Sequence, residues 1–357
     1  MTSALRARAR NAAVATAAAL VLASTALAAP TQAKAPTDLQ PEDLPRGADI
    51  AIAHIEDGDL VHGDRTVDVG GDRAFLIGRS GRAWLVGTSN VDGVGAYRIV
   101  RVLPDDSVKV IKRGISFFEM TLSENGRFLV RVGRGTRKAV PIRVFSARTG
   151  ELKAEKDFAN YPEVVGMDGP RVLLSSWVPG DMGVRSWDMK TGAIKRISRK
   201  PANIVDISND LLATYTGDPY QGGCVRLSRL SSPGTRLWKS CSERIVAFSP
   251  DGERMASVHI LSDGIGPGEV LEREIDGTLL DDYSTSWFGA ITFESNTNLL
   301  LEVNGDTLSA TVRCSEGECE NATDPVTVKQ PRLSRVLPAQ PTGSVGPGAG
   351  AGRTPRS

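Results

Sequence analysis

The sequence has few of the residues from which most catalytic and metal sites are built. It contains only three histidines and four cysteines in 357 residues, and aromatic residues make up 5% of the chain. No Gly-x-Ser-x-Gly motif occurs, which argues against the nucleophile turn of α/β-hydrolases. The cysteine spacing does not match a zinc site. The sequence therefore predicts no catalytic residue, no metal and no cofactor.

Long apolar runs are also missing after the N-terminus. Three arginines within the first ten residues precede the Ala-rich stretch Ala12–Ala23, and Ala26-Leu27-Ala28 follows. This order is typical of a cleaved secretory signal at residues 1–28. The mature chain is then expected to be secreted, to lack a transmembrane segment, and to change its formal charge from +1 to −2. A nearly neutral chain gives no reason to expect nucleic acid as a partner.

What the sequence has instead is a turn that recurs about every 43 residues. The second residues of these turns are Gly81, Gly126, Gly169, Asp210, Gly252 and Asn296. An offset series has the same period and comprises Asp106, Gly150, Gly192, Gly234, Gly277 and Gly317. Two turns per repeat, flanked by β-rich segments, predict four short strands per unit. That is the pattern of a β-propeller blade.

Individual segments resemble those of known propellers. Ile142–Leu152 and Val184–Ile194 resemble the segment around the third and fourth blade strands of WD40-type and YVTN-type propellers. Phe248–Arg254 is similar to the turn between the first two strands in WD40 and TolB-like propellers. Most repeats lack the Gly-His and Trp-Asp pairs of strict WD40 blades. The resemblance therefore implies an all-β fold of the broader secreted propeller class, and no particular activity.

The repeats also predict how the chain is divided. Six repeats are complete, and Gly63, 43 residues before Asp106, marks the outer strands of a seventh. Val326–Lys329 is expected to return and supply the innermost strand of that blade. The sequence thus predicts seven four-stranded blades, six being the alternative, closed by N- and C-terminal strands. The propeller domain is placed at residues 48–330, between a flexible linker at 29–47 and a disordered basic Pro/Gly-rich tail at 331–357.

The four cysteines fall into two pairs across predicted hairpins. Folding the segments that flank Ser231–Gly234 symmetrically places Cys224 opposite Cys241. Cys314 and Cys319 flank a four-residue turn in the same way. Two disulfides are expected in an exported protein, because the compartment outside the cytosol is oxidising.

One rim of the ring is predicted to carry the longest connections between strands. The side chains expected there are aromatic or cationic, namely Arg134, Arg137, Lys138, Tyr161, Trp177, Tyr220 and Trp287. Such residues are enriched at interface hot spots, which makes Arg134, Arg137, Trp177, Tyr220 and Trp287 candidate ligand-binding residues. The alternative for Trp177 and Trp287 is that each packs between blades, as expected for Trp84, Trp187 and Trp238.

The sequence favours a monomeric, non-catalytic propeller that binds an unknown protein or a cell-envelope glycan through this rim. The alternative is a polysaccharide-active hydrolase or lyase that uses acids on the inner strands, namely Glu119, Glu163, Asp206 and Glu294. Glycoside cleavage needs two carboxyl groups at a defined separation. A water-filled channel also tolerates carboxylates that have no function.

Overall fold

The computed structural model describes residues 35–90, 96–116 and 120–328 and shows a seven-bladed β-propeller. The predicted signal peptide and the predicted tail lie outside these ranges. The described residues form 29 strands in seven sheets, together with short 3₁₀ turns at Pro41–Asp43 and Pro219–Gln221. No helix in this part of the chain is long and apolar enough to cross a bilayer.

The blades follow one another along the chain, and neighbouring strands within a blade are antiparallel. After β1 (Thr37–Asp38), the first blade comprises β2 (His54–Glu56), β3 (Asp59–His62) and β4 (Arg65–Val67). The second comprises β5 (Arg73–Ser80), β6 (Ala83–Ser89), β7 (Arg98–Val102) and β8 (Val108–Arg113). The third comprises β9 (Met120–Leu122), β10 (Phe128–Val132), β11 (Val140–Ser146) and β12 (Leu152–Phe158).

The remaining four blades repeat the same order. The fourth comprises β13 (Glu163–Asp168), β14 (Arg171–Ser176), β15 (Gly183–Asp188) and β16 (Ile194–Ser198). The fifth comprises β17 (Ala202–Asp206), β18 (Leu211–Tyr215), β19 (Val225–Arg229) and β20 (Arg236–Ser240). The sixth comprises β21 (Glu243–Phe248), β22 (Arg254–His259), β23 (Glu269–Glu274) and β24 (Leu279–Ser284). The seventh comprises β25 (Trp287–Phe293), β26 (Leu299–Asn304), β27 (Leu308–Ser315), β28 (Glu318–Asn321) and β29 (Val326–Thr327).

The hydrophobic core lies between the blades rather than at one centre. Six clusters of buried side chains each join two consecutive blades. The second strand of a blade is buried on both faces, as in Arg171–Ser176, where every residue after the arginine is buried. The outer strand Leu152–Phe158 instead alternates between more and less exposed residues. Trp187 and Trp238 are buried in these clusters, as the sequence predicted.

The N-terminal segment, residues 37–52, is bound to the last two blades. β1 adds to blade six as a parallel fifth strand beside β24. The Asn321 side chain then donates hydrogen bonds to the carbonyl oxygens of Pro41 (2.7 Å) and Leu44 (3.0 Å). Ile50 packs with Leu300 and Ala322 of blade seven. The prediction of a flexible linker over 29–47 is therefore wrong for residues 37–47, because blades six and seven provide partners for their backbone.

The closure of the ring also differs from the prediction. The first blade has three strands among the described residues, and its innermost position is not taken by the C-terminus. Val326–Thr327 pairs instead with Leu308 and Ser309 at the start of β27. β28 pairs only with the second half of β27, so the first half of the same β27 edge is available to the returning chain. Pairing with this nearby edge closes a shorter loop than crossing to the first blade.

Both predicted disulfides are confirmed. Cys224 and Cys241 lie across the β19–β20 hairpin, with their Cα atoms 3.9 Å apart. Cys314 and Cys319 are direct neighbours on β27 and β28, with a Cα separation of 4.2 Å. Each bridge joins two adjacent strands of one blade. Two disulfides fit an extracellular or periplasmic protein.

Candidate functional site

Long connections gather on the side of the ring where the inner strands begin, here called the loop face. It is formed by residues 133–139, 159–162, 177–182, 199–201, 216–224, 260–268 and 285–286. The opposite side, the turn face, carries the short recurring turns. Four exposed large hydrophobic residues lie on the loop face: Tyr161 (55% exposed), Tyr220 (60%), Leu261 (37%) and Ile265 (65%). Two of the aromatic residues predicted for this rim, Tyr161 and Tyr220, are therefore exposed.

Tyr161 is held in an unusual backbone conformation. Asn160 and Tyr161 both have positive φ, +65° and +47°, which is rare for a residue with a bulky side chain. The Asn160 amide donates to the Arg137 carbonyl oxygen (2.7 Å), and Arg137 Nε donates to the Asn160 side chain (3.3 Å). Arg137 therefore fixes the strained turn from the neighbouring connection. Both the Tyr161 phenol ring and the Arg137 guanidinium group are exposed.

The connection that contacts this turn carries three cationic side chains. Arg134, Arg137 and Lys138 are all exposed in the connection between β10 and β11. That connection is tightened by paired backbone hydrogen bonds between Thr136 and Ala139, at 3.1 and 3.0 Å. The positive charges are thus presented on a short, ordered turn next to Tyr161.

A second exposed patch joins blades five and six. Tyr220 stands on the Pro219–Gln221 turn, which the Asp218 side chain caps by accepting a hydrogen bond from the Tyr220 amide (3.0 Å). The Tyr220 hydroxyl reaches Asp263 of the next loop (3.4 Å). Leu261 and Ile265 are exposed in that same loop. The sequence prediction included Tyr220 and missed these two aliphatic residues, whose only sequence signal is their position in a Gly-rich connection.

The two tryptophans predicted for this face are half-buried. The Trp177 ring lies 5.1 Å from the Tyr215 ring of the next blade and packs against the cluster between blades five and six. Trp287 begins β25, and its ring lies beneath Gly266, where an added Cβ would approach Trp287 Cε3 to 3.3 Å. Trp177 therefore takes the packing role that the sequence left open. Trp287 supports the loop that carries Ile265.

A polar cluster lies at the loop-face ends of strands from blades four, five and six. Burial raises the pKa of Glu163, the first residue of β13, to about 7. Its carboxylate has no hydrogen-bond or ion-pair partner among the described residues. Burial also raises the pKa of Tyr215, while the charge of Arg244 and a hydrogen bond from Asn203 (3.3 Å) oppose this shift. These residues come from blades four, five and six, so only the ring brings them together.

Glu163 does not pair with the other two described acids that were considered for catalysis. Glu163 begins its inner strand, whereas Asp206 ends β17 and Glu294 follows β25, at the turn face. A strand of about six residues separates these two levels by about 17 Å, beyond the separation that glycoside cleavage requires. Asp206 accepts hydrogen bonds from Asn209, and Glu294 is ion-paired with Arg313. Glu119 lies outside the described residues.

Metal binding has no visible site in the described part of the chain. No group of three or more His, Cys, Asp or Glu side chains there is placed to hold a metal ion. What the loop face offers is exposed aromatic, aliphatic and cationic surface on fixed turns. Such a surface is suited to binding.

Comparisons with known proteins agree with the propeller fold. No family model and no curated protein matches this chain. Similar solved structures include one of two prolyl endopeptidases, with TM-score 0.50 and 12% identity, covering 71% of this chain and 42% of that chain. A chain of a mitotic checkpoint complex has TM-score 0.49 and 10% identity, with coverages of 84% and 89%. TolB from Acinetobacter baumannii has TM-score 0.42 and 14% identity, with coverages of 66% and 63%. At these identities the likeness shows the fold alone.

Proposed function

We propose that this protein is a secreted, non-catalytic propeller whose loop face binds a protein partner. A propeller is a rigid ring, so loops anchored between its strands hold their side chains in place before a partner arrives. Preorganisation of this kind lowers the entropic cost of binding. The N-terminal sequence and the two disulfides support export, and binding would then take place outside the cytosol.

The conformation of Asn160–Tyr161 is the observation that carries the proposal. Asparagine adopts positive φ readily, but at a bulky residue such as Tyr161 it costs of order 1–3 kcal/mol, and such strain is concentrated at functional sites. Here the Tyr161 ring is exposed on a turn whose preceding residue, Asn160, is hydrogen-bonded to Arg137. Tyrosine and arginine are, with tryptophan, the side chains enriched at the energetic centres of protein interfaces.

A glycan is the other ligand class that fits exposed aromatic rings. The cationic turn at residues 134–138 favours a protein partner with acidic side chains, because guanidinium groups bind carboxylates bidentately. The exposed Leu261 and Ile265 also favour a protein, since aliphatic side chains gain by excluding water from an apolar surface. An acidic, partly apolar protein surface therefore fits both patches.

A capture experiment with matched variants tests the proposal. The mature domain would be immobilised and exposed to envelope and culture-supernatant proteins, beside the variant Arg134→Ala/Arg137→Ala/Tyr161→Ala. Trp177 is left unchanged because it packs between blades. The control, Ile194→Ala/Lys195→Ala, removes an exposed aliphatic and an exposed cationic side chain from the outer strand of blade four.

We expect one protein to be retained by the wild type and the control and lost by the loop-face variant. Retention by all three would show that the loop face is not the binding surface. Captured material that resists protease and is destroyed by periodate would show that the ligand is a glycan and not a protein.

A further inference from the structure

A second concave site lies on the opposite side of the ring from the loop face. It is a cleft of about 180 Å³ between blades one and two, on the turn face. The ends of β3 and β4 form one wall, and the β5–β6 and β7–β8 turns form the other. Because both walls are short turns held by blade sheets, the cleft is present without any rearrangement of the ring.

The lining of this cleft is strongly cationic. It contains Arg65, Arg79 and Arg82, and a single acid, Asp106. Arg65 and Asp106 form an ion pair, and Arg65 Nη2 also donates to the Pro104 carbonyl oxygen (2.8 Å). The charges of this pair cancel, so the cleft keeps the two positive charges of Arg79 and Arg82. Neither of these two arginines has an acidic partner among the described residues.

Aromatic rings orient one of these guanidinium groups. Arg79 Cζ lies 5.7 Å from the centre of the half-buried Trp84 ring, within the range of a cation–π contact. Arg79 Nε donates to the Gly81 carbonyl oxygen (3.1 Å), which leaves its two terminal nitrogens for a ligand. The exposed His62 ring meets Trp84 edge-on, with 5.3 Å between ring centres. The cleft therefore has an aromatic wall and a guanidinium group fixed against it.

We propose that this cleft binds a small phosphate monoester carried on a sugar or polyol. A phosphate monoester bears a charge close to −2 at neutral pH, which equals the unpaired positive charge of the cleft. Guanidinium groups bind phosphate oxygens through two parallel hydrogen bonds, and Arg79 and Arg82 approach the cleft from the two ends of one turn. The apolar C–H face of a sugar ring can pack beside Arg79 against the aromatic wall that His62 and Trp84 form.

The size of the cleft restricts the ligand. Its volume of about 180 Å³ is below the roughly 300–1,000 Å³ of pockets that hold drug-sized molecules. One sugar or polyol unit with its phosphate matches this space, whereas a nucleotide exceeds it. This site is independent of the proposed protein-binding function, because it lies on the other face and shares no residue with the loop face.

Titration calorimetry of the intact mature domain tests the site. The probes are glucose 6-phosphate, inorganic phosphate and glucose, each titrated up to ~10 mM. This range detects ligands that bind with a free energy of about −4 kcal/mol or stronger. The variant Arg79→Ala/Arg82→Ala removes the unpaired charge through two exposed side chains. The control Arg171→Ala removes an exposed arginine from the turn of blade four.

We expect glucose 6-phosphate to bind the wild type and the control, and to bind the double variant at least tenfold more weakly. The affinity should fall with added salt, because two charges are paired. Equal binding of glucose, or unchanged binding by the double variant, would overturn the proposal. Equal binding of inorganic phosphate would overturn the role given to the sugar and Trp84. An indole NH signal that is shifted by ligand and lost in Trp84→Phe would locate the bound ring.

Discussion

Arg313 is expected to stabilise the closed ring, and replacing it should destabilise the protein strongly. Its guanidinium group donates to Glu294 (2.5 and 3.0 Å) and to Glu320 (2.7 Å). It also donates to the carbonyl oxygens of Ala48 (2.9 Å) and Asp49 (2.8 Å) in the N-terminal segment. A single side chain thus joins blade seven to the segment that leads into blade one. Arg313→Met would keep the aliphatic part and remove every one of these bonds.

The size of the effect follows from the burial of the partners. The side chain of Arg313 is 10% exposed and that of Glu294 only 5%. Removing one member of a buried ion pair leaves the other charge without compensation and costs about 3–5 kcal/mol. For a domain of this size, with an unfolding entropy near 2.1 cal/mol/K per residue, that corresponds to a Tm lower by about 5–8 °C.

Thermal and urea unfolding, followed by circular dichroism, measure the effect. Arg143→Met is the matched control, because its ion pair with Glu155 is 34% and 39% exposed and should contribute less than about 1 kcal/mol. The double variant Arg313→Met/Glu294→Gln should lose less stability than the sum of the single variants. An Arg313→Met protein within about 1 kcal/mol of wild type at neutral pH would refute the closing role.

The ion pair between Glu294 and Arg313 also determines how its contribution to stability changes with pH. Burial opposes ionisation of Glu294, but the hydrogen bonds from Arg313 and Ala51 prevail and lower its pKa below the usual 4.5. A carboxylate whose pKa is lowered by folding stabilises the protein above the unfolded pKa. This contribution is lost as the pH falls through the folded pKa. The stability difference between wild type and Arg313→Met should therefore shrink in acid.

Two further predictions concern stability. Burial raises the pKa of Glu163 to about 7, so between pH 4.5 and 7 this carboxyl group keeps a proton in the folded protein that it loses in the unfolded chain. The contribution of Glu163 to the free energy of unfolding should therefore decrease as the pH rises through this range. Glu163→Gln should then be more stable than wild type at pH 8, by on the order of 2 kcal/mol in urea unfolding, and equal to it near pH 4.5; equal stability at both pH values would contradict the raised pKa. Replacing Cys224 and Cys241 by alanine should cost about 3 kcal/mol, and replacing Cys314 and Cys319 about 2 kcal/mol, because the first bridge closes 17 residues and the second only 5. The reverse order, measured by the same unfolding assay, would show that loop closure does not set the difference.

The repeating fold was readable from the sequence because its signals are local. Turns such as Asn125-Gly126 and Asp251-Gly252 recur with the blade period, and each stands between two strands that pair directly across it. The disulfides were predictable for the same reason, since Cys224 and Cys241 face one another across a single hairpin. Where the paired strands or cysteines lie less than about 20 positions apart, their spacing is visible in the sequence.

The character of the loop face was predicted only in part. Arg134, Arg137 and Tyr220 lie on the loop face, as predicted, because connection lengths show which turns share a face. Whether an aromatic ring in such a connection points to solvent depends on the neighbouring blade. Trp177 therefore packs on Tyr215, while Tyr161 is exposed on a turn that Arg137 holds.

Contacts between distant parts of the chain were decided by the tertiary structure. Residues 37–47 look like a linker, because their partner Asn321 lies more than 270 positions away and no local pattern marks it. The cleft of Arg65, Arg79 and Arg82 exists because two blades lie side by side, and the sequence shows these arginines only as ordinary turn residues. The sequence by itself determined the blade, since each blade is built from neighbours along the chain. Only the closed ring determined what lies between blades, because those contacts require every blade to be in place.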